Sequence, residues 1–324
     1  MAGSPRVSVV APTYNRRHGL EAFVEPLLRE PGLHELVMAV DGSTDGSVEW
    51  LQERSRRDAR LKVLSLPNRG AGPARQAGIE AATGEVVLLL DDDVIAEPGL
   101  VAGHARHHAA LEPLMVLGYM PNDWTRLPPG RRGVAKLYLA SYEHYVERYR
   151  RDPDFILTGL WGGNLSMPRE QFARVRMDQL AIARGQDDRE FGIRCHKAGI
   201  RGVFDPSLRA LHLFDRPLDA YRRDCRVMGE SLVLMRAVHP DVVTGDLVHG
   251  APGARPEENV GTSLPRPVRA IWPHLARDPA LGVVTRALGG VFALGVRTRT
   301  LALETVSARA IGSLETMRGV LDRS

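Results

Sequence analysis

Residues 85–99 read EVVLLLDDDVIAEPG. An apolar run from Val86 to Leu90 leads straight into three carboxylates, Asp91, Asp92 and Asp93. A short, continuously apolar run is typical of a strand that is covered on both faces of a parallel sheet. Adjacent carboxylates repel one another and are costly to bring together without a compensating partner. The segment therefore predicts a buried strand that ends in an acidic cluster in need of a cation.

Strand-like and helix-like segments alternate before this point. The runs RVSVVAP, LVMAV and LKVLSL are predicted strands, and RRHGLEAFVEPLLRE, STDGSVEWLQERSRR and GPARQAGIEAAT are predicted helices. This alternation is typical of an α/β sheet, whose ligands bind beyond the carboxyl ends of the strands. Polar clusters at 12–15, at Asp41 and at 91–93 each follow a predicted strand. We expect the three clusters to line one rim of the sheet.

The second half of the chain has a mixed character. A helix is predicted over 131–151, and TGLWGGNLSMPRE is predicted to be a loop that enters a further element. A helix is predicted within GQDDREFGIRCHKAG, followed by two short strands, GVF and RALHLF. The composition changes near Asp215, after which helical segments flank a stretch rich in proline and glycine. We therefore predict a domain boundary near Asp215 and a C-terminal helical region over 216–324.

Composition narrows the class of protein. The chain has 324 residues, 44% of them apolar, and a net charge of +4 that is spread over scattered arginines. A nucleic-acid partner is not expected, because no basic block or stripe is present. Two cysteines give no disulfide framework and fit a reducing, cytoplasmic setting. No secretory signal is predicted at the N-terminus, and the ten residues between Arg286 and Arg297 are too few for a membrane-spanning helix, which needs about 20.

The aspartate triplet has two interpretations. Carboxylate oxygens are natural ligands of Mg²⁺ and Mn²⁺, and an ion held by one or two carboxylates keeps positions open for phosphate oxygens. The functional interpretation is therefore a site for a divalent ion and a diphosphate. The alternative is a solvated acidic turn that caps the next helix.

Five segments carry a family resemblance. In chain order they are VSVVAPTYNR, VDGSTDGS, ARQAGIEAATGEVVLLLDDD, GGNLSMPRE and DDREFGIRCHKAG. Together they resemble the family 2 glycosyltransferases, which have the GT-A fold, over about residues 6–215. The resemblance implies an α/β catalytic domain over 1–215, with a nucleotide-sugar half at about 1–95 and an acceptor half at about 96–215. It also implies a glycosyltransferase of the hexosyltransferase type that uses a nucleotide-sugar donor.

The resemblance assigns residues to the donor site. The base and ribose would be held by the loop after the first strand, Pro12, Thr13, Tyr14 and Asn15. Asp41 would accept a hydrogen bond from the uracil ring N–H, which favours a UDP-sugar. Val40 stands where the family often carries a further aspartate, so the match at this motif is incomplete.

The diphosphate and the metal follow from the same resemblance. Arg75 would reach the diphosphate, and the triplet matches the family's D-x-D motif. Within it, Asp91 would contact the ribose or a metal-bound water, Asp92 belongs to the same donor-binding motif, and Asp93 would ligate Mn²⁺ or Mg²⁺. His212 stands where many relatives place a histidine that completes the metal site; a core or surface histidine is the alternative.

Catalysis is assigned to a pair of aspartates. Asp188 would be the general base of an inverting transfer, and Asp187 its supporting neighbour, although aspartates at this position also cap helices. In the loop WGGNLSM, Gly163 and Asn164 would approach the donor, because glycine allows a close backbone approach. Trp161 would either stack on a sugar or anchor the loop in the core.

Several alternatives stay open. A retaining GT-A synthase would share the donor site but lack the in-line base, and a binding module that has lost activity would keep only the fold. A sugar-phosphate nucleotidyltransferase or a dehydrogenase is disfavoured, because the glycine-rich motifs they need are missing. His104, His107 and His108 share a helical face, for which packing or solvation is a better explanation than metal binding.

The acceptor is not identified by the sequence. A saccharide, a lipid-linked sugar and a small natural product all remain candidates. The C-terminal region would cover the acceptor site, form a homodimer, or lie peripherally on the inner face of the membrane. The stretch LGGVFALGVRTRTLAL combines apolar length with two arginines, Arg297 and Arg299, which is compatible with binding at a membrane surface. Packing against the catalytic domain is the alternative, and it is the favoured one.

Overall fold

The computed structural model describes residues 4–178 and 185–243. Its described strands form one sheet in the order β3-β2-β1-β4-β7-β6-β8-β5. The strands are β1 (Val7–Thr13), β2 (Leu33–Asp41), β3 (Leu61–Leu66), β4 (Val86–Leu90), β5 (Val94–Ala96), β6 (Leu114–Tyr119), β7 (Asn164–Pro168) and β8 (Arg201–His212). Strands β1 to β4 run parallel to one another, whereas β7 is antiparallel to both of its neighbours, β4 and β6.

The described residues also form nine α-helices. They are α1 (Leu20–Leu28), α2 (Ser47–Ser55), α3 (Ala71–Ala81), α4 (Leu100–His107), α5 (Pro129–Arg151), α6 (Phe155–Thr158), α7 (Arg169–Arg174), α8 (Asp187–Lys197) and α9 (Leu218–Val238). The predicted first helix is present as α1, and its apolar residues Leu20, Phe23 and Leu27 are all buried.

The apolar run of β4 is explained by burial on both faces of the sheet. Val9 and Leu88 belong to one apolar cluster, and Val10 and Leu89 belong to the other. Neighbouring side chains of a strand point to opposite faces, so two covered faces require a continuous apolar sequence. Burying each such side chain contributes about 2 kcal/mol. The predicted parallel α/β sheet is therefore confirmed.

Two details of the sequence prediction are wrong, and one strand was not predicted. The predicted loop 158–170 contains β7, whose polar residues Asn164 and Ser166 are fully buried. The two short strands after α8 are one strand, β8, although Pro206 lies within it. The acidic cluster is followed by a three-residue strand, β5, which pairs with the end of β8 and so fixes the position of His212 beside Val94.

The chain divides into two compact units. The first contains Met1–Pro128, Tyr138–Ala181 and Asp187–Asp215, and the second contains Pro129–Leu137, Ile182–Gln186 and Arg216–Ser324. All strands of the sheet lie in the first unit. The predicted membrane-surface stretch LGGVFALGVRTRTLAL lies outside the described residues. No helix in the described ranges is long and apolar enough to cross a membrane.

Candidate active site

The acidic cluster meets the loop after β1. Because β1 and β4 are parallel neighbours, their carboxyl ends lie at the same rim of the sheet. Arg16, in the loop after β1, places Nε 3.7 Å from Asp92 Oδ1 and Nη2 3.9 Å from Asp93 Oδ2. A guanidinium thus partly compensates the two carboxylates. No role for Arg16 is predicted from the sequence, where its one signal is that a basic residue lies just beyond a strand end.

Arg75 joins the acidic cluster to the start of α8. Its Nη2 donates to Asp91 Oδ1 at 2.5 Å, and its Nη1 donates to Asp188 Oδ1 at 3.4 Å. The Arg75 side chain is only 12% exposed. Burial lowers the pKa of Arg75, but the two carboxylates outweigh burial and raise the pKa overall, so the guanidinium stays charged. The structure therefore brings together three residues that the sequence assigned to the diphosphate site and to catalysis.

Asp188 is held in an environment that favours proton uptake. It lies in the first turn of α8, and its Oδ2 accepts a hydrogen bond from the Gly162 N–H at 3.1 Å. Burial raises the pKa of Asp188, the nearby Asp91 carboxylate raises it further, and Arg75 and the Gly162 N–H oppose the shift. A carboxylate with a raised pKa is a better general base at neutral pH. Asp187 begins α8 directly before it.

Two glycines let the backbone approach these carboxylates. A Cβ on Gly162 would lie 2.7 Å from Asp188 Cγ, and one on Gly163 would lie 2.6 Å from Asp91 Oδ2. Gly163 has a φ of +108°, which side-chain-bearing residues rarely adopt, and its carbonyl accepts the Asp91 N–H at 3.1 Å. Gly163 therefore requires glycine, and a side chain at Gly162 would displace the Asp188 carboxylate. Gly162 was missed by the sequence analysis because its role depends on this close approach.

Asp93 and His212 form the other side of the rim. His212 Nε2 lies 3.3 Å from Asp93 Oδ1, and the Leu213 N–H donates to the Asp93 carbonyl at 2.7 Å. His212 is 7% exposed, and its buried Nδ1 has no hydrogen-bond partner among the described residues. Imidazole and carboxylate are suitable ligands for Mn²⁺, so this pair fits a divalent ion.

The fit to a metal extends to Asp92. Burial raises the pKa of Asp92 to about 7, while the Thr13 hydroxyl and Arg16 oppose the shift. A cation beside this carboxyl would favour its charged form. Within 4–178 and 185–243, no three His, Cys, Asp or Glu side chains are grouped to hold an ion by themselves. An ion held by Asp93 and His212 would keep its other positions for phosphate oxygens and water.

Asp41 stabilises the loop that leads into α3. Its two carboxylate oxygens accept the backbone N–H groups of Arg69 at 2.8 Å and Gly70 at 2.9 Å. The Asn68 side chain donates to the Asp41 carbonyl at 3.1 Å, and Asp41 is 5% exposed. Asp41 thus orders the entry to the helix that carries Arg75. Its predicted contact with a base stays a prediction.

The loop after β1 is tied to the loop after β2. Asn15 has a left-handed φ of +51°, its Oδ1 accepts the Thr44 N–H at 2.8 Å, and its own N–H donates to Ser43 Oγ at 2.9 Å. Tyr14 is 52% exposed, so its ring is available for stacking, while Thr13 is buried. Pro12 lies within β1 and forms part of the strand end.

Asn164 and Trp161 belong to the predicted loop WGGNLSM, and the structure shows the contacts of both side chains. The Asn164 side chain is fully buried, with Nδ2 donating to the Leu208 carbonyl at 3.0 Å, so it lies in the core and not in the donor site. Trp161 donates from Nε1 to the Tyr138 hydroxyl at 3.1 Å and packs edge-on against Tyr142 at 5.5 Å. The anchoring role is therefore the one that these contacts support. Tyr138, which also contacts the ring of His212 at 5.1 Å, was not singled out by the sequence.

Comparisons with known proteins agree with this architecture. Glycosyltransferase GlyG of Streptococcus pneumoniae is 35% identical over 100 residues, which cover 30% of this chain and 33% of GlyG. Validoxylamine A glucosyltransferase of Streptomyces hygroscopicus subsp. limoneus is 29% identical over 227 residues, which cover 60% of this chain and 49% of that protein. The chain thus spans about a third to a half of the length of these relatives.

A solved structure shares the fold. The mannosyltransferase PcManGT from Pyrobaculum calidifontis, in complex with GDP-Man and Mn²⁺, superposes with a TM-score of 0.54 at 18% identity, covering 98% of this chain and 81% of that one. The predicted GT-A fold is confirmed by this likeness. The model of the family described as "Glycosyl transferase family 2" matches residues 8–171, half of the chain. This chain therefore belongs to glycosyl transferase family 2.

Proposed function

We propose that this chain transfers a sugar from a nucleoside-diphosphate sugar to an acceptor hydroxyl, with inversion at the anomeric carbon. The observation that carries the proposal is the position of Asp188. A carboxylate with a raised pKa lies 3.4 Å from Arg75, which in turn pairs with Asp91 at the carboxyl end of β4. A base, a buried cation and an acidic motif at one rim are the groups that such a transfer needs.

The donor is proposed to be a UDP-sugar. A carboxylate at Asp41 suits the uracil ring N–H, and each of its oxygens keeps a lone pair beyond the backbone amide that it already accepts. The exposed ring of Tyr14 is placed to stack on the base. The structural relative PcManGT binds GDP-Man, so a guanine nucleotide is the competing donor in any test.

Asp93 and His212 would hold Mn²⁺ or Mg²⁺, with Asp91 and Asp92 nearby. PcManGT binds Mn²⁺ in its solved complex. The bound ion would supply positive charge that offsets the charge developing on the leaving diphosphate. Arg75 would contribute a second, permanent charge to the same group, because its paired carboxylates keep it protonated.

Asp188 would take the proton of the acceptor hydroxyl during attack on the anomeric carbon. The Gly162 N–H fixes one carboxylate oxygen, which orients the other. A single in-line displacement inverts the configuration, and holding donor and acceptor in line would supply much of the remaining rate. The acceptor would be a saccharide, a lipid-linked sugar or a small natural product, and residues 216–324 would shape its access.

A screen of nucleotide sugars tests the proposal. UDP- and GDP-sugars are incubated with the protein in Mn²⁺, Mg²⁺ or EDTA, and release of nucleoside diphosphate is measured with and without saccharide acceptors. We expect release from UDP-sugars that EDTA abolishes, and NMR of the product should show the inverted anomer. Absence of turnover with every donor, in protein that binds the nucleotides, would favour a binding module. A retained anomer would favour the retaining alternative.

A further inference from the structure

A buried polar chain links α4 to β7 beside the site. His104 Nδ1 lies 2.7 Å from Ser166 Oγ, and His108 Nε2 lies 2.8 Å from the same hydroxyl. His104 Nε2 lies 3.0 Å from Asn164 Oδ1. His104, Asn164 and Ser166 are fully buried, and His108 is 1% exposed. We call these four residues the histidine–serine chain; neither the donor site nor the mechanism above uses it.

The direction of each hydrogen bond in the chain is determined by chemistry. The Leu208 carbonyl can only accept, so Asn164 must direct its amide N–H₂ to it and its Oδ1 to His104. His104 Nε2 must therefore carry the proton. Burial lowers the pKa of His104 to about 3 and that of His108 to about 4, so both rings are neutral at pH 7.

The remaining two bonds follow from the first. A neutral His104 that is protonated at Nε2 has an acceptor at Nδ1, so the Ser166 hydroxyl donates to it. The Ser166 oxygen then accepts from His108 Nε2–H. His108 Nδ1 is left as a buried acceptor without a partner in the described part of the chain. The chain thus has one internally consistent arrangement of protons, which ends on the Leu208 carbonyl of β8.

The chain is anchored next to the two carboxylates of the site. Asn164 pairs with Leu90 in the sheet and directly follows Gly163, whose carbonyl accepts the Asp91 N–H. The preceding residue, Gly162, donates to Asp188. Fixing the Asn164 side chain between α4 and β8 therefore fixes the start of β7 and the glycine pair before it. Asn164 cannot shift without moving the backbone that contacts both carboxylates.

We propose that the histidine–serine chain is a positioning device, which holds the Gly162–Gly163 backbone against Asp188 and Asp91 through Asn164. The expected effect on turnover rests on the proposed function, whereas the hydrogen-bond arrangement of the chain does not. His104 and Ser166 are thus positioning residues that act through Asn164, and neither touches substrate.

The proton arrangement is tested directly in the unmodified protein. Long-range ¹H–¹⁵N spectra of histidine-labelled protein at pH 7 distinguish the charged ring and its two neutral tautomers. We expect His104 and His108 both neutral and protonated at Nε2, assigned with His104→Gln and His108→Gln. A charged His104, or a His104 protonated at Nδ1, would overturn the proposal. This result does not depend on any turnover.

The positioning role is tested with a matched pair of serines. Ser166→Ala breaks the chain, whereas Ser8→Ala removes an equally buried hydroxyl that bonds Glu35 at 2.6 Å and the Gly84 N–H at 2.8 Å near the start of β1. We expect Ser166→Ala to lower kcat for metal-dependent donor turnover about tenfold while the donor KM changes less than about twofold. Ser8→Ala should destabilise the fold without lowering kcat. Equal kcat values for the two variants would remove the positioning role.

A second pair separates hydrogen bonding from packing. The amide of Gln in His104→Gln can donate to Asn164 and accept from Ser166, whereas Leu in His104→Leu can do neither. We expect His104→Gln to keep most of the wild-type kcat and His104→Leu to lose about as much as Ser166→Ala. Equal losses in both would show that the ring volume matters and the chain does not. An inactive wild type would refute the proposed function, while the spectra would still decide the chain.

Discussion

Buried carboxyl groups have opposite pKa shifts at the two ends of the sheet. Near the amino ends of the strands, Glu35 accepts from Ser8 Oγ at 2.6 Å and from the Thr83 N–H at 2.6 Å, and it pairs with Lys62. Burial raises the pKa of Glu35, but these partners prevail and lower it to about 2. At the carboxyl ends, burial prevails and raises the pKa of Asp92 and Asp188.

The difference shows which carboxylate charges are fully compensated by other residues of the protein. Glu35 has a partner for each oxygen, so its charge joins the starts of three strands and contributes to stability. Asp92 lies near Arg16 and Asp188 lies near Arg75, but these arginines do not offset the effect of burial on the two carboxyl groups. Incomplete compensation is costly to stability, but it leaves a site that gains from a bound cation and from a proton.

Replacing the proposed base, Asp188, should have the largest effect on turnover. Asp188→Asn keeps the shape and the contact with the Gly162 N–H but cannot take a proton, so turnover should fall by on the order of 10² or more. Nucleotide affinity, measured by calorimetry, should remain. Asp187→Asn is the matched control and should cost less. Near-normal turnover in Asp188→Asn would assign the base to another group.

Removing the charge at the other end should affect stability instead. Glu35→Gln loses the ion pair with Lys62 and weakens the bonds to Ser8 and Thr83, and we expect a loss of about 2 kcal/mol in the free energy of unfolding. Turnover below the melting transition should not change. Glu53→Gln, which breaks exposed pairs with Arg56 and Arg57, should leave the urea midpoint unchanged. A fall in kcat for Glu35→Gln would show that the two ends are coupled.

Displacing the Asp188 carboxylate by a substitution at Gly162 should have an intermediate effect on turnover. A methyl group in Gly162→Ala would collide with the Asp188 carboxylate, so we expect turnover to fall about tenfold. In Gly72→Ala the nearest atom to the new methyl group is the Met177 carbonyl oxygen at 3.7 Å, an ordinary contact, and turnover should stay normal. If steady-state kinetics give the same kcat for both variants, the close approach of the 162–163 backbone is not needed.

The acid dependence of stability gives the smallest and most specific difference. The pKa of Glu35 is about 2 in the folded protein against an ordinary value of 4.5, so its stabilising contribution is complete above about pH 4.5 and is lost as pH falls toward 2. The stability gap between wild type and Glu35→Gln should therefore narrow as pH falls from about 4.5 toward 2, so urea titrations should give a smaller gap at about pH 3.5 than at about pH 5.5. A gap that stays constant with pH would mean that the Glu35 charge is not the source of the effect.

Much of the sheet could be predicted because its central strands are buried on both faces. The five consecutive apolar residues from Val86 to Leu90, for example, are typical of a strand that is covered on both faces. Strand β7 escaped prediction because Asn164 and Ser166 are polar, and their partners on α4 and β8 are distant in sequence. A buried polar strand can be recognised only when the side chains that satisfy it are known.

The site was predicted where charge identifies a residue and missed where geometry does. Asp91, Asp188 and Arg75 are charged side chains at strand or helix ends, and the structure brings them together. Asn164 was misplaced because sequence does not show which face of β7 it occupies. The role of Gly162 is visible only in the structure, where a side chain at this position would collide with Asp188.

The antiparallel direction of β7 has a consequence for folding kinetics. Because β7 is antiparallel to β4, the start of β7 lies beside the end of β4, at the rim that carries the candidate site. The site therefore depends on contacts between residues that are far apart in sequence, such as Arg75 and Asp188, which are 113 residues apart. Such contacts form late, because the loop-closure entropy is lost before they contribute. During synthesis, the half of the chain that contains β1 to β4 emerges first, and it cannot hold Asp188 against Arg75 until α8 has left the ribosome.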